Sequence, residues 1–357
     1  MFMGVKVFYA MPTPWVANPF VSTLLEEISN SYSDIEFGWG SEAFWIENII
    51  SNYDIIHFQW PTDIFHTQRR QYNNEDLRKW LLFLKRKGKK IVATCHNFQP
   101  HYSTNTELSL CYSTVYQLSD TIIHLGEYSQ KLFQELYPKC NNVLIPHHIY
   151  DTYFTDSYSK DESCQKLHLN PNYTYILCMG TFRDSEERDL ILHVAEKVKR
   201  RATILAPSFI DLPTNTKLQR YRRRATKYLL RNKYRIIATG QKDCPVPDSD
   251  IPYYYGVADF CIIPRLKNLN SGVLPLAMLM GKAVIGPSIG NIGPLLDTTG
   301  NLSFNPGKPQ TLVDAVKKYL SSDVYQIGHN NKQYAFKYFN THGTAEKLHS
   351  LYSELGK

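Results

Sequence analysis

Along this chain short apolar runs alternate with amphipathic helical stretches; the alternation stops once and then starts again. Repetition of that kind builds parallel sheets wrapped by helices. In the first half the runs Val5 to Ala10, Tyr53 to Trp60, Lys90 to Cys95, Thr121 to Leu125 and Val143 to Ile145 read as strands. Helical patterns lie at Phe20 to Ile28 and at Glu75 to Lys87, the second stopped by Gly88. Asn18 and Pro19 give the first of these a cap and a first-turn proline. Residues 151–174 are polar and aperiodic, and they read as an interdomain linker. Strands then return at Tyr175 to Met179, Thr203 to Ala206, Arg235 to Ala238, Phe260 to Ile263 and Ala283 to Ile285. Helices return at Glu186 to Lys199, Thr311 to Leu320, Tyr325 to Phe339 and Thr344 to Leu355. A chain of 357 residues is too long for one ordinary core. The expectation is an α/β protein of two doubly wound, parallel-sheet domains facing each other across a cleft. In such sheets ligands sit beyond the carboxyl ends of the strands.

The stretch 268–290 sharpens that expectation. A buried strand empties into a loop ending in Asn270-Ser271-Gly272, and an apolar helical segment follows from Val273 to Met280, closed by Gly281. A strand that runs through a Ser-Gly turn into a helix start presents unpaired N–H groups and the positive end of the helix dipole. That combination favours anions, phosphate most often. The same pattern also fits a tight turn with nothing bound. No dinucleotide glycine fingerprint and no Walker loop is present.

Bulk properties exclude several classes. No apolar run reaches the ~18 residues that a membrane span needs. The first ten residues read as a strand and lack the basic region and cleavage site of a signal peptide. The seven cysteines are odd in number and form no Cys-x-x-Cys pair, which fits a reducing cytoplasm and neither a disulfide framework nor a zinc site. The net charge of +7 is concentrated. Lys217 to Arg235 is dense in Lys and Arg, interleaved with Tyr221, Tyr228, Leu229, Leu230 and Tyr234, and reads as a basic amphipathic helix. An anionic membrane surface, nucleic acid and a merely solvated face are the three readings of that segment.

Several pieces in this order resemble bacterial glycosyltransferases of the GT-B fold, in the GT4-like group. They are Asn18-Pro19-Phe20, His57-Phe58-Gln59-Trp60-Pro61, the stretch from Thr94 to His101, Ile145-Pro146-His147, Gly180-Thr181-Phe182-Arg183, Ala258-Asp259 and the segment 268–290. The resemblance spans nearly the whole chain. It implies an acceptor-binding domain over 1–160, a nucleotide-sugar donor-binding domain over 161–338 and a last helix, 339–357, that packs back on the first domain. It implies transfer of a sugar from UDP or GDP to a saccharide acceptor, lipid-linked in capsule or surface polysaccharide synthesis, with retention of configuration. The location expected is the cytoplasm, peripheral at the inner membrane face through 217–235. No cofactor, metal or nucleic-acid partner is expected. A non-catalytic nucleotide-sugar-binding subunit and a GT-B nucleotide-sugar epimerase are the alternatives.

By the same resemblance Arg183 pairs with the donor diphosphate and stabilises the leaving group, a role that suits a guanidinium fork. Asn270, Ser271 and Gly272 hold the diphosphate, while Gly240, Ile251, Tyr255 and Val273 lie near base and ribose. His96 faces the donor sugar, where a neutral imidazole can donate or accept a hydrogen bond or act as a base. Asn18, His101 and His147 are the acceptor-side residues. The chain also departs from the family. Glu186 stands where a lysine is usual, and Asn268 and Leu276 stand where acids are usual. Arg265 and Lys267, just before the Ser-Gly turn, are the cations available to replace the missing charge. Asp248-Ser249-Asp250 resembles a metal-binding triplet but reads as a turn.

Overall fold

Tyr9, Ile56, Val92 and Ile123 are almost wholly buried because their strands are covered on both faces, as parallel strands are. In this computed structural model, which describes residues 4–15, 18–65, 72–100, 106–240 and 246–357, such strands form two six-stranded sheets. The chain divides into two units, Met1–Tyr153 with Tyr338–Lys357, and Phe154–Lys337.

The first unit holds β1 (Val5–Tyr9), β2 (Ile35–Trp39), β3 (Ile55–Phe58), β4 (Lys90–Cys95), β5 (Thr121–His124) and β6 (Asn141–Leu144). Their spatial order is β2-β1-β3-β4-β5-β6, all parallel. The second unit holds β7 (Tyr175–Leu177), β8 (Thr203–Leu205), β9 (Ile236–Ile237), β10 (Phe260–Ile262), β11 (Ala283–Pro287) and β12 (Leu302–Phe304). Their order is β12-β11-β10-β7-β8-β9, again parallel. Counted within the second unit this is the doubly wound order in which the first and fourth strands lie side by side at the centre. Each sheet therefore reverses its direction of growth once, between β1 and β3 in the first unit and between β7 and β10 in the second.

The Thr341–Leu355 helix completes the first unit. It packs on the Phe20–Ser31 helix, and its Tyr352 hydroxyl reaches the interior, 2.7 Å from the Tyr9 hydroxyl. The second core is aliphatic and aromatic, with Ile191, Val194, Ile204, Phe260, Ile285, Leu312 and Val316 nearly unexposed.

The structure corrects the linker reading. Lys160–Leu167 is a helix inside the stretch 151–174, with a capping box in which Ser159 and Glu162 each accept from the other's backbone N–H. It packs on the Ile251–Val257 helix and buries Ser163 and Cys164. An eight-residue helix shows too few turns for a period to register. The edge strands β2 and β12 and the helices Thr106–Leu118, Glu127–Leu136 and Ile292–Thr298 also add to the elements read from sequence. Each of these two strands buries only one residue, Ile35 and Phe304, so neither shows a continuous apolar run. Asp248–Asp250 is a single 3-10 turn leading into the Ile251–Val257 helix, with Pro252 in its first turn. The Phe20–Ser31 helix has Pro19 at its cap position, and Asn18 Oδ1 accepts from Phe20 N at 3.1 Å.

Candidate functional site

In an open parallel sheet, loops that leave neighbouring strands in opposite directions open a crevice at the point of reversal. In the second unit those loops are residues 178–184 after β7 and 263–272 after β10. Arg183 and Asn268 meet there: Arg183 Nη1 donates to Asn268 Oδ1 at 2.5 Å. Asn268 Nδ2 in turn donates to Asn270 O, and Asn291 Nδ2 donates to Asn270 Oδ1. Gly290, at φ +52°, lets the β11 loop lie against this one. A Cβ there would stand 2.5 Å from Leu269 O and 2.8 Å from Asn268 O, so no other residue fits without moving the loop. Gly180, at φ +91°, is the corresponding close approach on the β7 side, where a Cβ would meet Val273 Cγ2 at 3.3 Å and Arg265 Nη2 at 3.5 Å.

Beneath this layer lies an ion pair. Arg265 is 7% exposed, and its Nη1 donates at 2.7 Å to Oε2 of Glu187, which is fully buried. The same carboxylate oxygen accepts from Arg183 N at 2.8 Å, while Glu187 N donates to Asp184 Oδ1 at the start of the Ser185–Val198 helix. The other carboxylate oxygen of Glu187 is buried without a hydrogen-bond partner. Glu187 thereby ties Arg265 to the backbone that carries Arg183. Lys267 pairs with Glu186 at 3.1 Å on the surface. The expected diphosphate residues Arg183, Arg265, Lys267, Asn270, Ser271 and Gly272 all lie on these two loops, Gly272 at the cap of the seven-residue Val273–Leu279 helix. Leu276 is buried in that helix and belongs to the core. Ile251 and Val273 are half-buried and Tyr255 is buried. Gly240 N donates to Pro207 O, and Gly240 O accepts from the buried Arg223.

In the first unit the reversal lies between β1 and β3, and the loops after β3 and β4 carry the expected histidine. His96 stacks on Trp60, centroids 4.7 Å apart at 18°, and meets Phe20 edge-on at 5.0 Å. The His147 and Phe20 ring centroids lie 4.6 Å apart, and His148 stacks on Phe20 at 5.1 Å. Asn18, His96 and His147 thus converge on Phe20, the first residue of its helix. His101 lies outside the described residues. Gln59 and Trp60 were missed as site residues, although the alternation in His57-Phe58-Gln59 already places His57 and Gln59 on one side of a strand.

Gln59 links His96 to a buried polar chain. Its Oε1 lies 2.8 Å from His96 Nε2, and because a carbonyl oxygen only accepts, His96 Nε2 is the donor. The Gln59 Nε2 end faces His57 Nε2 at 3.4 Å. His57 Nε2 lies 2.8 Å from the Thr94 hydroxyl, and its Nδ1 lies 2.5 Å from the Tyr352 hydroxyl. Burial pushes the His57 pKa down to about 3, so this chain is neutral at physiological pH. Burial likewise lowers His147 to about 4 and His148 to about 3, the latter also through its neighbour His147. His147 Nδ1 donates to His148 O, and His148 Nε2 donates to Phe20 O.

The two loop systems differ in chemistry. The second unit offers guanidinium groups, amides and tight glycine turns, which fit an anion. The first offers neutral imidazoles and aromatic faces, which fit hydroxyl groups and sugar rings. No group of three or more His, Cys, Asp or Glu able to hold a metal ion occurs among the described residues.

No protein-family model matches the sequence, and no curated relative matches it. Solved structures do match over almost the full length. The sucrose-phosphate synthase of Thermosynechococcus elongatus aligns with a TM-score of 0.71 at 14% identity, covering 99% of both chains. Anabaena HepE, solved with UDP and again with UDP-glucose, aligns with a TM-score of 0.67 at 13% identity, covering 99% of this chain and 100% of that one. A Listeria monocytogenes protein assigned as a UDP-N-acetylglucosamine 2-epimerase aligns with a TM-score of 0.60 at 13% identity, covering 97% and 95%. Two parallel six-stranded sheets with flanking helices, in this order and shared with these proteins, are the GT-B fold.

Proposed function

We propose that the protein transfers a sugar from a UDP-sugar to a saccharide acceptor carried on a lipid. The observation that carries this reading is the convergence of Arg183, Asn268 and Arg265 at the strand reversal of the second sheet. There Arg183 binds the donor diphosphate and stabilises the charge that builds on the departing UDP, as a preorganised cation does in a transition state. Asn268 orients Arg183 through a neutral amide, which fixes the guanidinium without cancelling its charge. An acid at this position would form a bidentate pair instead. Arg265, paired with Glu187, acts as a support: the shared carboxylate oxygen also holds the backbone N–H of Arg183. Ser271 and Gly272 supply the loop backbone for the phosphate oxygens. In the first unit His96, presented against Trp60 and Phe20, contacts the sugar or the acceptor hydroxyl. UDP is chosen over GDP because HepE was solved with UDP and UDP-glucose.

A thermal-shift screen against UDP, GDP and their sugars tests the ligand, since binding to the native state raises the melting temperature by mass action. UDP is expected to shift it, and Arg183→Ala to weaken UDP about 10- to 100-fold, the worth of one or two charge-assisted hydrogen bonds. Unchanged affinity in both Arg183→Ala and Ser271→Trp would place the nucleotide elsewhere. The Listeria neighbour supports a second reading, epimerisation of the nucleotide sugar. Slow release of UDP from a UDP-sugar favours transfer, and conversion of UDP-N-acetylglucosamine to its 2-epimer favours the alternative. Binding with neither reaction would leave a non-catalytic nucleotide-sugar subunit.

A further inference from the structure

The Lys217–Leu229 helix in the second unit turns its apolar side chains away from the protein. Leu218, Tyr221, Tyr228 and Leu229 are 59%, 70%, 74% and 53% exposed. At 3.6 residues per turn they fall on one stripe about 100° wide. The side chain that anchors the helix is Arg223, about 170° from the middle of that stripe. It is 5% exposed and donates to the carbonyls of Ile210, Leu212 and Gly240. An amphipathic surface helix ordinarily buries its apolar face and exposes its charges. Here an arginine holds the helix down while two tyrosines and two leucines face outward.

The borders of the stripe are cationic. Lys217, Arg220 and Arg224 lie along one side and Arg222 along the other, all exposed, and Arg231 and Lys233 continue the charge past the helix end. The chain carries no acidic residue between Asp211 and Asp243, so nothing in this stretch of sequence offsets them. The Thr216 capping box fixes the start of the helix, which makes the stripe a formed surface and not a fluctuating one.

We propose that this helix is a docking surface for anionic phospholipid bilayers, lying in the interface with its tyrosines and leucines inserted among the headgroups. A flat apolar stripe edged by Lys and Arg complements the headgroup layer of such a bilayer in both polarity and charge. Nucleic acid would be met by the cations alone and would leave four large apolar side chains without a partner. This inference stands on the surface of the second unit and does not depend on the transferase reading.

Flotation of the full chain with vesicles tests it. The protein is expected to float with vesicles of phosphatidylcholine and phosphatidylglycerol, not with phosphatidylcholine alone, and to be released by salt. Two variants separate the contributions. Arg220→Glu, Arg222→Glu and Arg224→Glu together should weaken association at least about a hundredfold, given about fivefold for each basic residue near an anionic surface. Tyr221→Ser, Tyr228→Ser and Leu229→Ser together keep the charge and should weaken it more than about tenfold. Every substituted side chain is exposed, so circular dichroism and melting temperature should stay as in the parent chain. Failure of the parent chain to float with anionic vesicles overturns the proposal, as does unchanged flotation of either variant. Tighter binding to duplex DNA than to the anionic vesicles overturns it in favour of nucleic acid.

Discussion

The two units share a parallel six-stranded sheet, yet they bury different polar groups. Among the described residues the first unit buries His57, His124, His148, Gln59 and Thr94 but no Lys, Arg, Asp or Glu. The second buries Arg223, Arg265 and Glu187, and leaves His168, His193 and His329 half-buried or exposed. Near the strand reversals themselves the first unit places the neutral His57 and Gln59, and the second the ionic Arg265 and Glu187. The ionic set brings guanidinium groups, whose planar fork matches phosphate. The neutral set can donate and accept hydrogen bonds without attracting anions, which suits hydroxyl chemistry.

Acid should break this contrast most strongly. The folded-state pKa values of His57 and His148 are lowered to about 3, and those of His124 and His147 to about 4, all chiefly by burial. The unfolded chain therefore takes up protons first. Stability is complete above the ordinary histidine pKa and falls as pH drops from about 6.5 towards 4, by roughly 2 kcal/mol per histidine at pH 5. All five tryptophans, Trp15, Trp39, Trp45, Trp60 and Trp80, lie in the first unit, so their fluorescence follows that unit alone. The urea midpoint by fluorescence should fall between pH 7 and pH 5. A midpoint independent of pH over that range would refute the assignment of these histidines as buried and neutral.

The converse lesion lies in the second unit. Arg265→Met leaves the Glu187 carboxylate buried and uncompensated, at a cost of about 3–5 kcal/mol. Circular dichroism should then show early loss of structure that tryptophan fluorescence does not follow. Adding Glu187→Gln should recover much of the loss, and no recovery would mean that the pair is not coupled.

The smallest effect concerns His96. Gln59→Leu removes the neutral hydrogen bond to His96, worth about 1 kcal/mol, together with the long 3.4 Å contact to His57, so turnover should drop only about fivefold. The sharper readout is nitrogen NMR of the imidazole. The parent chain should show His96 protonated at Nε2, and the variant a mixture of both tautomers. A single unchanged tautomer in the variant would show that Gln59 does not position the ring.

Much of this was legible in the sequence wherever chemistry is local. The strands β1, β4, β7, β10 and β11 stand out because covering both faces makes them continuous apolar runs. The Gly-Thr-Phe-Arg segment was marked by the family resemblance, and the Asn-Ser-Gly turn by its place between a buried strand and a helix start. What was not legible depends on partners distant in the chain. Glu187 reads as one of several acids in a charged loop, and only the fold brings it to Arg265, 78 positions further along the chain. Gln59 shows its role only once β3 and β4 are neighbours. The helix Lys160–Leu167 was hidden by its polarity, since most of its side chains face water.

The hydroxyl of Tyr352 fills the interior of a unit whose other strands are all complete by Leu144. On a ribosome the sheet of the first unit is thus assembled long before its last buried partner exists. Until then the Tyr9 hydroxyl and His57 Nδ1 lack the Tyr352 hydroxyl as a partner. The second unit, Phe154–Lys337, needs nothing synthesised after it for its own sheet. The unit that is made first is therefore the one that finishes folding last, and its exposure to chaperones and proteases extends over the synthesis of the other.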